Sequence, residues 1–234
     1  MKVFMRMVNG SSIKELHAEI EKLRSALVDS ERRVDERISS IYKEFVAGRE
    51  SANKLVRLAY HDNLTGLPNR GLLMDRIKVA CANAMRNKKF VAVFFIDLDG
   101  FKVINDTFGH EAGDDLLIWV GSELQQCVRA NDTVARIGGD EFVAVITDLE
   151  DVESIGSVAK KIVERLGERV VIKGAPISIG ASVGISIFPD DAEDPEALIR
   201  EADSAMYEVK SEGKNGYKFF SQIGNKSVFF GADL

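Results

Sequence analysis

Arg136-Ile137-Gly138-Gly139-Asp140-Glu141-Phe142 lies between two β-rich runs, Thr133–Ile137 and Phe142–Thr147. Two glycines and two carboxylates between β-branched and aromatic residues read as a β-hairpin whose turn presents acid groups. A turn that only reverses the chain is satisfied by Asn-Gly or Asp-Gly. Setting Asp140 beside Glu141 at a strand end adds like-charge repulsion, which a divalent cation relieves. On its own the string fits a solvated acidic turn equally well, so the rest of the chain must decide.

The chain has 234 residues, 45% hydrophobic and 29% charged, enough for one well-buried domain with an appended element. A net charge of −6 argues against general nucleic-acid binding, which leaves a basic footprint. It leaves room for a phosphate-bearing small ligand, because local lysines outweigh a distant acidic surface. Cys81 and Cys127 both sit among apolar helical residues and read as buried free thiols, which suits a reducing, cytoplasmic location. No apolar run reaches the roughly 18–20 residues that cross a bilayer, and none of Met1–Gly10 has the pattern of a secretion signal.

Residues 1–10 read as a tail, 11–60 as a helix, 61–222 as the folded domain and 223–234 as a second tail. Within 11–60, Ile13, Leu16, Ile20, Leu23 and Leu27 alternate spacings of three and four, the seam of a coiled coil. Ser30 continues the register, and the steps of four to Val34 and Ile38 make a stutter before Ile41 and Phe45. So narrow a stripe needs a partner helix: a parallel homodimer, or its own domain. A turn-rich cluster over Tyr60–Arg70 follows, with Asn69 capping a helix to about Asn87. Phe90–Asp97 reads as a buried central strand, and 111–130 and 152–166 as helices. Strands are expected near 169–173, 177–181 and 183–188, a helix over 195–211 and a last strand at Tyr217–Phe220. Hairpins mixed with crossover helices imply an α+β fold, a sheet covered by helices.

The chemistry-bearing residues begin where the central strand ends, at Asp97-Leu98-Asp99-Gly100-Phe101-Lys102. Asp97 and Asp140 on neighbouring strands can converge, since strands lie ~5 Å apart, and two carboxylates are the minimum that holds magnesium beside phosphates. Gly100 permits close backbone approach to a phosphate, and Lys102 supplies a mobile cation. Asn105 and Asp114 offer an amide and a carboxylate that match the O6 acceptor and the N1–H and N2–H donors of guanine. Equally, Asn105 suits a turn and Asp114 the start of a helix. His110 reads as a packed structural histidine, with no second His or Cys nearby in sequence.

Taken together, Asp62–Arg70, Asp97–Lys102, Asn105–His110, Gly113-Asp114, Gly138–Phe142 and Ala202–Tyr207 with Lys210 occur in an order that resembles the GGDEF-domain family, the diguanylate cyclases. The resemblance covers about two thirds of the chain. It implies a nucleotidyl-cyclase, palm-like mixed sheet, mainly antiparallel, preceded by the coiled-coil helix. It further implies condensation of GTP to cyclic di-GMP between facing protomers, with pyrophosphate released. Asp97, the Leu98 carbonyl and Asp140 would bind two magnesium ions, or manganese in their place, and Glu141 would position metal or ribose. Asp140 is a candidate for easing the proton from the 3′-hydroxyl. Gly100, Phe101, Lys102, Lys210 and Lys214 would contact phosphate, and Asn105 and Asp114 would read guanine, favouring GTP over ATP. Arg129 and Asp132 match the family's RxxD inhibitory site for cyclic di-GMP. A catalytically silent receptor for GTP or cyclic di-GMP is the alternative, and an upstream sensor acting through the helix is expected.

Overall fold

The computed structural model describes residues 10–223, in two units, one through Val56 and one from Arg57 onward. The expected tails lie outside the described residues, except that Gly10 opens the first helix and Ile223 follows the last turn. Helix α1 is Gly10–Tyr60. Leu16, Ile20, Leu23, Leu27, Val34, Ile38, Ile41 and Phe45 are all exposed on it, while the side chain of Ile13 lies outside the described residues. Among the described residues no helix is long and apolar enough to cross a membrane.

The second unit takes in the last turn of α1, because the following loop folds back on it. Asn69 N donates to Tyr60 O at 2.9 Å and Asn69 Nδ2 to Ala59 O at 2.8 Å. The same Asn69 caps α2 (Arg70–Asn87), its Oδ1 accepting from Leu72 N at 3.1 Å, as its place before the apolar periodicity requires. Strand β1 (Phe90–Asp99) is buried from Val91 to Leu98. Helices α3 (Phe101–Phe108) and α4 (His110–Cys127) follow, then the hairpin β2 (Thr133–Gly138) and β3 (Glu141–Leu149). Helix α5 (Glu153–Gly167), strands β4 (Val170–Ile172), β5 (Ala175–Ile177) and β6 (Gly180–Phe188), α6 (Pro195–Glu212) and β7 (Gly216–Phe219) complete the domain.

The five-stranded sheet has the order β2-β3-β1-β6-β7, antiparallel except for the parallel pair β6–β7. Successive side chains of β1 point to opposite faces. Ala92, Phe94, Ile96 and Leu98 pack with Leu116, Val120 and Leu124 of α4 and Ile155, Ile162 and Leu166 of α5. Val91, Val93 and Phe95 pack with Leu73 and Ile77 of α2 and Leu198, Ala202 and Met206 of α6. Cys81 and Cys127 are buried and free, as expected, and burial pushes the Cys81 thiol up to about 11.

Three local expectations are corrected. Phe101–Phe108 is a helix, where sequence offered Asn105 as a turn residue; eight residues between Gly100 and Gly109 are too few to display a period. The region 169–188 holds a separate hairpin, β4–β5, turning through Lys173 and Gly174 at φ 49° and 82°, and one unbroken strand β6 instead of two. The fourth helix ends at Cys127, three residues short of the expected 130.

On the face of β6 toward α6 stand Ser182, Gly184 and Ser186, small residues that let the helix backbone approach. Ser186 Oγ donates to Leu198 O at 2.7 Å. A Cβ added at Gly184 would lie 1.9 Å from Ala202 O and 2.2 Å from Met206 N. Backbone atoms cannot swing aside, so Gly184→Ala is expected to cost about 3 kcal/mol, measured as a lower urea midpoint. An unchanged midpoint would show that α6 yields.

Candidate active site

The site gathers at the C-terminal end of β1. Asp97 pairs in register with Glu141 of β3 on one side and Ser182 of β6 on the other. Pairing with β3 stops there, whereas pairing with β6 continues to Asp99 opposite Gly180, so one edge of β1 is open at Leu98. The β2–β3 turn is two residues, Gly139 and Asp140, closed by Gly138 opposite Glu141, with Gly139 at φ 44°. That positive φ is the reason for glycine here.

Arg136 fastens this turn. Its Nε and Nη2 donate to Gly139 O at 3.0 and 2.7 Å, and its Nη1 donates to both Asp62 oxygens at 3.0 and 3.2 Å. Asp62 also accepts from Thr65 N and Thr65 Oγ1. Partial burial raises its pKa, but these hydrogen bonds and the Arg136 charge outweigh it and hold the carboxyl below its usual range. The acidic turn is therefore clamped to the loop that ends α1.

Asp97 is buried, and Lys210 Nζ of α6 lies 2.7 Å from its Oδ2. Burial first, then the charges of Asp140 and Asp99, push the Asp97 carboxyl up against the pull of Lys210. Glu141 is pushed up by burial and by the charges of Asp97, Asp203 and Asp140. Lys210, expected at phosphate, is thus paired with Asp97, and Asp203, quoted in sequence only within Ala202–Tyr207, adds its charge to the acids. No three acidic side chains among the described residues form a ready metal cage. The available donors are two carboxylates and a backbone oxygen, and their mutual repulsion is what a divalent cation neutralises, so the residues present fit one.

Asn105 and Asp114 meet at one corner of the domain. The Asn105 carboxamide lies against Gly113, where an added Cβ would come within 1.9 Å of Asn105 Oδ1. Gly113 thus seats the amide beside exposed Asp114. Lys173, from the β4–β5 turn, bonds Glu111 at 2.5 Å and stands 4.0 Å from Asp115 on the same helix end. Lys102 and Lys214 are exposed, and neither has an ion pair among the described residues. Phe101 is half-buried and Gly100 sits at φ 79°. His110, expected to pack, is exposed at the first position of α4.

Arg129 and Asp132 lie away from the acids, at the far end of β2. Asp132 Oδ2 accepts from Arg129 N at 2.9 Å and Oδ1 from Thr147 N at 3.0 Å, so this carboxylate also braces the β2–β3 pair. The Arg129 guanidinium is exposed and borders a cleft of about 430 Å³ with Ser154, Ser157 and Lys161.

Because Asp97 and Glu141 titrate higher in the folded than in the unfolded chain, folding opposes their ionisation. The penalty is complete above the folded pKa values and vanishes as pH falls toward about 4. Asp140→Asn removes one repelling charge. In metal-free buffer at pH 7.5 it is expected to raise the thermal midpoint by about 2–4 °C, a gain that fades toward pH 4. An unchanged or lower midpoint at pH 7.5 would refute the repulsion.

The model of the family described as diguanylate cyclase, GGDEF domain, matches residues 59–216. MucR of Pseudomonas aeruginosa, a bifunctional diguanylate cyclase/cyclic di-GMP phosphodiesterase, is 43% identical over 196 residues, covering 83% of this chain and 28% of that protein. The chain spans about a quarter of the length of the first curated relatives it matches: 28%, 22% and 25%. Among solved structures, the GGDEF domain of TpbB from Pseudomonas aeruginosa superposes with a TM-score of 0.68 at 33% identity, covering 71% of this chain and 100% of that one. The coiled coil and GGDEF domain of DgcB from Caulobacter crescentus, in complex with c-di-GMP, gives a TM-score of 0.68 at 26% identity, covering 80% and 98%. With a family model spanning more than half of its length, the chain belongs to the GGDEF diguanylate cyclase family.

Proposed function

We propose that the chain is an active diguanylate cyclase that joins two GTP molecules into cyclic di-GMP with release of two pyrophosphates. The observation that carries this reading is the complete acid set at the end of β1. Asp97 is buried opposite Glu141, both are raised by burial and by the charge of Asp140, and the set lies on the domain that also carries Asn105 and Asp114. A silent receptor has no need to keep three repelling carboxylates together.

In this reading Asp97, Asp140 and the Leu98 carbonyl hold magnesium, with manganese able to replace it, and Glu141 steadies metal or ribose. The metal, when bound, supplies charge neutralisation at the triphosphate and acidifies the attacking hydroxyl. Asn105 and Asp114 orient guanine through its O6 acceptor and its N–H donors. Lys102, Lys210 and Lys214, with backbone at Gly100 and Phe101, hold the phosphates. The 3′-hydroxyl of one GTP attacks the α-phosphorus of the other, its proton passing toward Asp140, as the bond to pyrophosphate breaks. Repeating the step in the opposite sense closes the ring. Positioning and charge supply most of the rate.

Each protomer contributes one GTP, so two must face each other. The exposed apolar seam of α1 supports a parallel homodimer that delivers the second half-site. The stutter between Ser30 and Ile38 gives an upstream sensor a register to bias. The exposed Arg129 guanidinium on its cleft supports a site for the product's guanine and phosphate, with Asp132 accepting from guanine N–H groups.

With GTP and magnesium, the parent is expected to release pyrophosphate, and Asp140→Ala to lose at least about 100-fold of the rate. Equal rates would sink the cyclase reading. Added cyclic di-GMP is expected to inhibit the parent non-competitively and to leave Arg129→Ala nearly unaffected; equal inhibition of both would remove Arg129 from the product site.

A further inference from the structure

The second aspartate of Asp97-Leu98-Asp99 has no part in the chemistry above, yet it is fully engaged. Asp99 Oδ1 accepts from Ser182 Oγ of β6 at 2.7 Å, and Oδ2 accepts from the backbone N–H of Asn215 at 2.9 Å. Asn215 belongs to the turn between α6 and β7, where Lys214 and Asn215 are both left-handed, at φ 68° and 47°. Neither is glycine, so each is strained and keeps this conformation only where its surroundings hold it there. The backbone of this turn bonds α6 at its start, where the N–H groups of Gly213 and Lys214 both donate to Val209 O, the latter at 2.9 Å. The junction is close: a Cβ at Gly180 would meet Asp99 Oδ2 at 3.0 Å and Asn215 Oδ1 at 3.2 Å.

We propose that Asp99 is a positioning residue that holds the Lys214–Asn215 turn against the end of β1, and so fixes Lys214 for the triphosphate. The proposal rests on the reading of Lys214 as a phosphate contact. Asp99 joins the strand that carries the acids to the turn that carries the lysine, and sets the distance between them. Its charge is not the point. An acceptor oxygen aimed at Asn215 N–H is what the turn requires.

The test is binding of a GTP analogue with a methylene bridge between the α- and β-phosphorus, by calorimetry on the full chain with magnesium, together with KM and kcat for GTP. Lys214→Ala and Asp99→Ala are each expected to weaken binding and raise KM roughly tenfold, with kcat within about threefold. The double variant is expected to match Lys214→Ala alone, because the anchor has nothing left to position. Asp99→Asn keeps an oxygen for Asn215 N–H and is expected to bind within about threefold of the parent. Should Asp99→Ala fail to fold, Asp99→Asn decides by itself: binding as weak as that of Lys214→Ala means that Asp99 acts through charge, and overturns the proposal. Independent losses that multiply to roughly a hundredfold in the double variant also overturn it. If Lys214→Ala binds like the parent, the phosphate role of Lys214 falls and this proposal with it. If Lys214→Ala weakens binding and Asp99→Ala does not, only this proposal falls.

Discussion

Repulsion among Asp97, Glu141 and Asp140 is the constraint around which this domain is organised. Two of the three carboxyls are pushed up by burial and by neighbouring acids, Asp140 among them for both, so the chain has to hold them where they would not gather by themselves. The holding is done mostly by backbone. Strand β1 is hydrogen-bonded on both sides, and its register sets Asp97 opposite Glu141 without any side chain having to attract another. Lys210 offsets part of the charge on Asp97, and Arg136 fixes the turn that carries Asp140 through Gly139 O. Such a pairing of a buried acid with one lysine is weak evidence for stability. It is a better sign of a site waiting for more positive charge than the protein itself provides.

Much of this was legible in the residues. Phe90–Asp97 declared itself as a central strand because seven apolar residues in a row ending in an acid admit few other places, and the Gly138–Phe142 turn followed from glycine and acid between β-branched runs. Asn69 announced α2 by capping it. The long helix followed from its spacing, with no proline and Gly48 alone against it within 11–60. What stayed hidden was long-range. Nothing local says that Arg136 reaches back 74 residues to Asp62, or that Asp99 reaches forward 116 to Asn215. That Lys210 pairs with Asp97 shows only once α6 is seated on β6, where the small face of Ser182, Gly184 and Ser186 lets the helix come close. Helix α3 and strand β5 were missed for a different reason: eight and three residues hold too few repeats to declare a period.

The loop after α1 shows how one short motif serves two masters. Asp62 ties to Arg136, and Asn69 ties both to the end of α1 and to the start of α2. Thr65 adds two hydrogen bonds to the same Asp62. The last turn of α1 is thereby part of the domain, as the division at Val56 and Arg57 reflects.

The β2–β3 hairpin carries the acids at one end and the Arg129–Asp132 corner at the other. Thr147, which Asp132 holds, lies six residues along β3 from Glu141, roughly 20 Å at strand spacing. Between them Phe142 to Ile146 are buried, and Phe142 to Val145 are paired with both neighbours. A close-packed strand of this kind has no second arrangement to switch into, so a ligand held at Arg129 has little means of altering the acids by bending the hairpin. The exposed guanidinium and open cleft instead suit a ligand that bridges to another surface. Under the proposed function, a product bound at that corner would inhibit by fixing where a domain sits, which is enough to stop a reaction that needs two of them face to face.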